Sequence, residues 1–227
     1  VYVRAESGEE TKLTDNGKEG NAYEGLEWSP DSTTLATWRV EPGDRKEVYV
    51  IRSSPAGGGR AQLESRPYAL PGDKFPRCEL NLLKVATRQR ITPEVDRYES
   101  ESGPPTLQWR QEGSRVAWEQ VDRGHQRLRV LEAECATGKT RNIIDEKSDT
   151  FIWTAHTEGL GLHYVNWLKG SEEIIYASER DGWRHLYLVD AKEGQVKNQI
   201  TKGEWVVRGI DRIDEETRQI WFRASGK

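Results

Sequence analysis

The chain has 227 residues, of which 34% are hydrophobic and 32% are charged, and its formal net charge is −4 at pH 7. This charge provides no basic field to attract a polyanion, which argues against nucleic acid as a partner, and no apolar run reaches the ~18 residues of a membrane-spanning helix. Nine Trp and eight Tyr supply large apolar side chains for a globular core.

A pattern of five residues occurs three times along the chain. Each copy has a Trp, a small turn residue, an aliphatic residue, a Gly and the start of an alternating strand. A repeat of short alternating strands separated by turn residues is typical of the blades of a β-propeller. The copies are Trp28, Ser32, Leu35, Gly43 and Val48; Trp109, Gly113, Val116, Gly124 and Leu128; and Trp167, Ser171, Ile174, Gly182 and Leu186.

The predicted units, in chain order, are a half-blade over residues 1–14, blades over 23–91, 105–145 and 163–201, and a half-blade over 205–223. Residues 48–51 are predicted as a strand of the first blade, which also carries an insertion over 55–78. The sequence therefore predicts an all-β fold over 1–227: a β-propeller segment of four-stranded antiparallel blades, about three whole blades plus two half-blades. We expect a piece of a larger ring; the alternative is a small ring closed by its terminal half-blades.

The residues that most often bind metals are scattered. Cys78 and Cys135 could form at most one disulfide, and neither lies in a CxxC or Cys/His cluster, so we expect two free, partly buried thiols and no zinc site. The acidic residues of 211–216 lack the pattern of a calcium loop and are interpreted as a solvated turn. No HxH or HExxH spacing occurs among the histidines, so we expect no metal and no cofactor; they are His125, His156, His163 and His185.

Four segments carry a family resemblance: Trp28–Asp31 (WSPD), Tyr68–Lys74 (YALPGDK), Ser178–Tyr187 (SERDGWRHLY) and Thr201–Val207 (TKGEWVV). In this order and spacing the chain resembles the N-terminal propeller of the dipeptidyl peptidase IV branch of the prolyl oligopeptidase (S9) family of serine peptidases. The resemblance implies an eight-bladed propeller over an α/β-hydrolase domain that carries a Ser-Asp-His triad, the two enclosing a cavity for short or unfolded peptides.

No G-x-S-x-G elbow occurs in this sequence. The resemblance therefore implies a non-catalytic domain that controls access and docks peptide substrates for a separate C-terminal α/β-hydrolase domain of the same polypeptide, in a periplasmic or secreted bacterial peptidase. Any signal peptide would precede residue 1. The alternative is a free-standing propeller that binds a protein or peptide without catalysis, and a third hypothesis is a structural propeller in a surface assembly.

The resemblance also directs attention to three candidate substrate-binding residues. Family members that remove dipeptides hold the substrate ammonium with a glutamate pair before the Trp-Ser-Pro strand. The corresponding stretch here, residues 23–27, lacks consecutive glutamates, so Glu24 is the best candidate for the amine anchor, with a solvated loop carboxylate as the alternative. Glu179 and Arg180 are predicted at a rim that faces the peptide cavity, with an interblade ion pair as the alternative.

Overall fold

A computed structural model describes residues 1–100, 103–154 and 163–226. Apart from a single 3₁₀ turn over Gln111–Gly113, the regular structure of these ranges is β-strand. Across the described ranges, no helix is long and apolar enough to cross a membrane. The strands are β1 (Tyr2–Arg4), β2 (Glu10–Lys12), β3 (Ala22–Trp28), β4 (Thr34–Glu41), β5 (Glu47–Arg52), β6 (Gln62–Pro67), β7 (Arg77–Lys84), β8 (Arg90–Ile91), β9 (Tyr98–Glu99), β10 (Leu107–Arg110), β11 (Arg115–Val121), β12 (Arg127–Glu134), β13 (Thr140–Lys147), β14 (Val165–Trp167), β15 (Glu173–Ser178), β16 (His185–Asp190), β17 (Gln195–Gln199), β18 (Val206–Asp214) and β19 (Gln219–Ser225).

The strands form sheets of the size expected for blades. Three sheets contain four strands in the orders β3-β4-β7-β8, β10-β11-β12-β13 and β14-β15-β16-β17, with β9 added beside β7. The pairs β1-β2 and β18-β19 form two-stranded sheets near the two ends of the chain. The predicted fold class, a β-propeller segment with whole blades flanked by half-blades, is confirmed.

The chain divides into two compact units, one of Val1–Val116 with Glu134–Lys139 and the other of Ala117–Ala133 with Thr140–Lys227. In the first unit, β4 is buried along nearly its whole length and pairs with β7, which places Trp38 opposite Leu80 and Leu35 opposite Leu83. All four side chains are almost fully buried. Because β4 is covered on both faces, its first five residues are all buried, including the polar Thr34 and Thr37.

The structure corrects one strand of the first blade. The alternating segment Val48–Ile51 belongs to β5, which pairs with β6 in a separate two-stranded sheet, while β4 pairs directly with β7. The connection between β4 and β7 covers residues 42–76. Leu80 faces Trp38 as Leu186 faces Ala177 in the later sheet, so Leu80 takes the last place of the repeat. The prediction that Val48–Ile51 is a strand of the first blade is wrong, because β6 lies close in sequence and forms a hairpin with this segment.

The β5-β6 hairpin presents an apolar face to solvent. Tyr49, Ile51 and Leu63 lie on that face and are 69%, 70% and 70% exposed. The base of the hairpin is fixed, because a Cβ on Gly43 would lie only 2.2 Å from the carbonyl oxygen of Lys74. Such close backbone approach requires glycine at this position.

In the second unit, β15 lies between β14 and β16, and all six of its residues are buried. Tyr176 faces Tyr187 and Ala177 faces Leu186 across the β15-β16 ladder. The β18-β19 pair packs partly buried apolar side chains, among them Ile210 and Phe222, against the core of this unit. The turn between β15 and β16 therefore projects from a rigid sheet, which fixes the side chains at its base.

Candidate functional site

Arg180 lies in the turn between β15 and β16, and three neighbours hold its guanidinium. Its Nη2 donates to Glu146 Oε2 at 2.7 Å, and its Nε donates to Ser178 Oγ at 2.9 Å. Ser178 Oγ in turn donates to the Glu146 carboxylate at 2.8 Å, and the guanidinium lies 4.7 Å from the ring centroid of Tyr187. Glu146 belongs to β13 and Ser178 to β15, so Arg180 joins two sheets. The structure thus shows Arg180 in an ion pair between two sheets, which was the alternative interpretation of this residue.

Glu179 precedes Arg180 and is half-buried. Its carbonyl oxygen accepts the Gly182 N–H at 2.9 Å, which closes the turn. Its carboxylate contributes to raising the pKa of Tyr164, although burial of the phenol is the larger cause. The structure therefore groups Glu179 with Arg180 at one end of the β15-β16 hairpin, and the predicted contact of both residues with a peptide stays a prediction.

Glu24 belongs to the first unit and differs from its expected setting. It lies within β3 opposite Trp38 instead of in a loop, next to a bulge between Glu24 and Glu27. Gly25 has a φ of +60°, and a Cβ there would come within 3.3 Å of the Trp38 ring. The Glu24 carbonyl oxygen accepts a hydrogen bond from Thr37 Oγ1 at 2.9 Å, while the residue as a whole is exposed. The predicted loop position is thus wrong, the exposure agrees with a solvated carboxylate, and the amine-anchor role stays a prediction.

Arg184, at the other side of the turn, is buried and was not singled out by the sequence. Its Nε donates a hydrogen bond to the Val207 carbonyl oxygen at 2.9 Å, and its Nη1 donates one to the Tyr164 hydroxyl oxygen at 3.4 Å. The guanidinium also lies 5.2 Å from the Trp153 ring centroid and 5.7 Å from that of Tyr164. Aromatic faces and carbonyl oxygens are favourable surroundings for a buried cation.

His185 begins β16 and is completely buried. Its Nε2 lies 2.9 Å from the Gly203 carbonyl oxygen, which can only accept, so Nε2 carries the proton of this hydrogen bond. Its Nδ1 lies 3.0 Å from Thr201 Oγ1, and its ring contacts Trp205 edge to face at 4.9 Å. These contacts fit the hydrogen-bonding role predicted for histidines and give His185 a structural place under the turn.

Three phenols surround the two arginines and stay protonated at neutral pH. Burial raises the pKa of Tyr164 and raises that of Tyr176 well above its ordinary value. Burial, followed by the charge of Asp181, raises the pKa of Tyr187 to about 12. At physiological pH these hydroxyls therefore act as neutral hydrogen-bonding groups, and the charges of this region come from Arg180, Arg184 and the nearby carboxylates.

A different cluster occupies the opposite end of β15. The Glu173 carboxylate accepts from Arg218 Nη1 at 2.6 Å, from Lys197 Nζ at 2.6 Å and from Ser171 Oγ at 3.2 Å. The Arg218 bond is the largest of the causes that lower the pKa of Glu173 to about 2. This carboxylate has a full set of partners, so it ties β17 and the β18-β19 turn to β15.

The acidic turn between β18 and β19 also has a structural role. Glu215 accepts the backbone N–H groups of Lys169 and Gly170 at 2.9 and 2.8 Å, and these bonds lower its pKa. Asp214 accepts the Thr217 N–H at 3.0 Å within its own turn. The interpretation of this run as a merely solvated turn is wrong for Glu215, which caps the β14-β15 turn.

The cysteines and the described histidines have surroundings other than a metal cluster. Cys78 and Cys135 are free, as predicted, and burial raises the pKa of each thiol to about 11. Within the three described ranges, no group of three or more His, Cys, Asp or Glu side chains is arranged to hold a metal ion. His125 lies 2.5 Å from Thr154 Oγ1, and His156 lies outside the described residues.

Sheets of four antiparallel strands define the class of this protein as a β-propeller domain, and comparison with known proteins narrows it. Residues 1–227 match the family described as the dipeptidyl peptidase IV (DPP IV) N-terminal region, and the chain belongs to that family. The "Dipeptidyl peptidase 4" of Trichophyton rubrum is 27% identical over 206 residues, which cover 88% of this chain and 26% of that protein. The "Probable dipeptidyl peptidase 4" of Neosartorya fischeri is 29% identical over 205 residues, or 87% of this chain and 26% of that protein.

Two solved structures have a fold similar to that of this chain. The dipeptidyl peptidase 4 of Porphyromonas gingivalis superposes with a TM-score of 0.70 at 17% identity and covers 96% of this chain and 32% of its own. A putative dipeptidyl aminopeptidase IV from Bacteroides ovatus gives a TM-score of 0.64 at 17% identity, over 98% of this chain and 36% of its own. The chain thus spans about a quarter to a third of the length of these relatives.

Sequence reasoning missed Glu146, Tyr164 and Arg184. Arg184 carried a usable signal, because it is in alternation with Leu186 and Leu188, which lie on one face of β16. A charged residue in register with buried leucines indicates a buried charge. Glu146 carried no such signal, because its role depends on the approach of β13 to the β15-β16 turn.

Proposed function

We propose that this chain is the non-catalytic propeller domain of a dipeptidyl-peptidase-IV-like serine peptidase, where it controls access and docks peptides for a separate C-terminal α/β-hydrolase domain. The single observation that carries the proposal is the family match over residues 1–227. It is supported by relatives of which this chain spans only 26–36%, which leaves room in those proteins for a further domain. A periplasmic or secreted bacterial location is part of the proposal.

The docking part of the proposal centres on the β15-β16 turn. Arg180 keeps 36% of its side chain exposed although Glu146, Ser178 and Tyr187 fix its position. A guanidinium that is already ordered loses little side-chain entropy when it donates to a peptide carbonyl or carboxylate. Glu179 lies beside it and would supply the opposite charge for a peptide ammonium, while Glu24 is a second candidate for that role in the other unit.

The first experiment locates the chemistry. Chromogenic Xaa-Pro and Xaa-Ala dipeptide substrates are offered to the full-length natural protein, to this chain alone and to a full-length variant that lacks the downstream catalytic serine. We expect turnover by the first protein only. Activity of this chain alone would contradict the non-catalytic role, and binding of peptides without turnover by the full-length protein would favour the free-standing binding propeller.

A second experiment tests docking at the turn. In the full-length protein, Glu179→Gln should raise KM for free-amine dipeptide substrates about tenfold or less with little change in kcat, because it removes a binding charge far from the reacting bond. The matched control is Glu193→Gln, whose side chain is 62% exposed in the turn between β16 and β17. Equal kinetics of both variants and the natural protein would remove Glu179 from the substrate site.

A further inference from the structure

The loop at the tip of the β5-β6 hairpin carries an arginine in open surroundings. The loop covers residues 53–61, between the end of β5 and the start of β6. Arg60 and its neighbour Ala61 are both exposed. The three glycines before Arg60 also lie in open space, because a Cβ on any of them would meet no atom beyond its chain neighbours within 4 Å. The peptide bond between Arg60 and Ala61 is thus accessible from solvent.

The backbone of this loop can be extended at low cost. Gly58 and Gly59 have φ values of +72° and +101°, and glycine changes readily between such conformations and extended ones. The Gly58 N–H donates to the Pro55 carbonyl oxygen at 2.9 Å, so the turn that it closes ends before Arg60. Exposed loop tips with small residues are preferred sites of proteolytic cleavage. A peptidase can therefore reach the segment around Arg60 after local opening alone.

The hairpin itself offers little resistance to such opening. β5 and β6 pair with each other in a sheet of two strands. The apolar side chains nearest the loop, Ile51 and Leu63, are each 70% exposed. A two-stranded hairpin is at best marginally stable in water by itself. The end of the hairpin next to the loop can therefore separate without disturbing the buried core.

Other basic residues are exposed in a different setting. Three of them lie in turns that are closed by a backbone hydrogen bond of 2.8 or 2.9 Å: Arg123, Lys139 and Lys192. Each of these turns joins two strands of a four-stranded sheet, so opening it disturbs that sheet. Residues 101–102 and 155–162 contain neither Lys nor Arg. Arg60 therefore differs from these three residues, because its loop can open while the four-stranded sheets stay intact.

We propose that the bond between Arg60 and Ala61 is a processing site for an endopeptidase that cleaves after arginine, and that the cleaved domain stays folded as two associated chains. The cleavage is a hydrolysis with water as the co-reactant. The C–N bond breaks, the hydroxyl group of water joins the Arg60 carbonyl carbon, and its proton joins the Ala61 nitrogen. This modification is independent of the proposed docking of peptides.

Strands from both sides of the cut hold the two chains together. β4 precedes the cleaved bond and β7 follows it, and all eight residues of β4 pair with β7. Trp38 and Leu80 face each other in this ladder and are each 1% exposed. Trp38 Nε1 also donates to the Pro105 carbonyl oxygen at 2.8 Å, which links the two chains a second time. Because none of these contacts involves the loop, cleavage leaves them in place.

Limited proteolysis of the full-length natural protein with trypsin tests the proposal. Trypsin cleaves after every accessible Lys and Arg, so all sites compete. We expect the first cut within residues 1–227 to create a chain that begins at Ala61, which mass spectrometry identifies. Both chains should elute together in size-exclusion chromatography and separate only in denaturant. A first cut at another residue, no cut in this region, or chains that separate in native buffer would overturn the proposal.

Variants and urea show whether local opening is sufficient. Arg60→Gln should slow this cut about a hundredfold or more, because the specificity pocket of trypsin requires a basic side chain. Arg123→Gln is the matched control and should leave the cut unchanged. In natural protein, the rate should stay nearly constant in urea below the unfolding transition. A rate that rises with urea as steeply as global unfolding, or a cut that persists in Arg60→Gln, would overturn the proposal.

Discussion

The two ends of β15 hold polar clusters of opposite character. At its first residue, the buried carboxylate of Glu173 is surrounded by Arg218, Lys197 and Ser171. At the other end, beyond Ser178, Arg180 is bonded to the Glu146 carboxylate, whereas Arg184 donates to no carboxylate of the described residues. Saturated charge joins strands and leaves nothing for a ligand, whereas a fixed and incompletely neutralised charge can bind one. We therefore assign stability to the Glu173 end, and the recognition role of the turn end stays a proposal.

Replacing His185 tests whether the turn end also has structural elements, and it should have the largest effect. His185→Leu removes the side-chain donor to the Gly203 carbonyl and one of the two partners of the buried Thr201 hydroxyl, which keeps only the Leu186 N–H, and it also removes the ring contact with Trp205. We expect the free energy of unfolding to fall by about 2–4 kcal/mol. Urea denaturation measures it, with the exposed His163→Leu as control. A loss below that of the control would show that the turn does not depend on His185.

Acid titration tests the Glu173 end. The pKa of this carboxyl falls from an ordinary value of 4.5 to about 2 on folding, so its stabilisation is complete above about pH 4.5 and is lost as the pH falls from there through about 2. Because Arg218 and Lys197 are about half exposed, we discount the charge effect and expect Glu173→Gln to cost about 1–2 kcal/mol at pH 7. The difference between natural and variant chains should shrink below pH 4.5; a constant difference would contradict it.

A double-mutant cycle sharpens the role of Arg180. If its bond to Glu146 only joins two sheets, then Arg180→Gln, Glu146→Gln and the double variant should lose similar stability, with a coupling energy of about 1 kcal/mol or less. Dipeptide KM values of the full-length protein then separate the two roles. A rise in KM for Arg180→Gln without a similar rise for Glu146→Gln would indicate contact with substrate, whereas equal rises would indicate positioning alone.

The smallest effect is expected at Glu24, which belongs to neither end of β15. Its side chain is exposed on β3, and its hydrogen bond with Thr37 uses the backbone carbonyl. Glu24→Ala should change the free energy of unfolding by less than about 0.5 kcal/mol. Unfolding of the variant would mean that the carboxylate itself supports the bulge. A raised KM for free-amine substrates, with stability unchanged, would support its role as amine anchor.

Much of the fold follows from local pattern. The strands β10 to β13 and β14 to β17 were predictable because short alternating segments, separated by residues such as Gly124 and Gly182, pair with their nearest neighbours in sequence. The first blade was harder, since residues 42–76 separate β4 from β7 and contain a hairpin of their own. The alternation of Val48–Ile51 predicts a strand but does not specify which other strand it pairs with.

The environment of the candidate site residues could be predicted from the sequence only in part. Glu179 and Arg180 were singled out because they lie in a segment that resembles the family, and their position in the turn is local information; their contact with substrate stays a prediction. The partner of Arg180 was not local, because Glu146 is on another strand. Glu215 likewise gained its partners, the N–H groups of Lys169 and Gly170, only through packing.

The sequence by itself therefore determined the all-β repeat and the family, because turn residues and side-chain alternation act over a few neighbouring positions. Tertiary structure alone decided which charges are neutralised. Arg180, Arg184 and Glu173 lie within a short stretch of one chain, yet they end as a paired cation, a buried cation without a carboxylate in the described residues, and a saturated anion. Whether a charge is neutralised depends on contacts between side chains on different strands, and the spacing of residues along the chain does not specify those contacts.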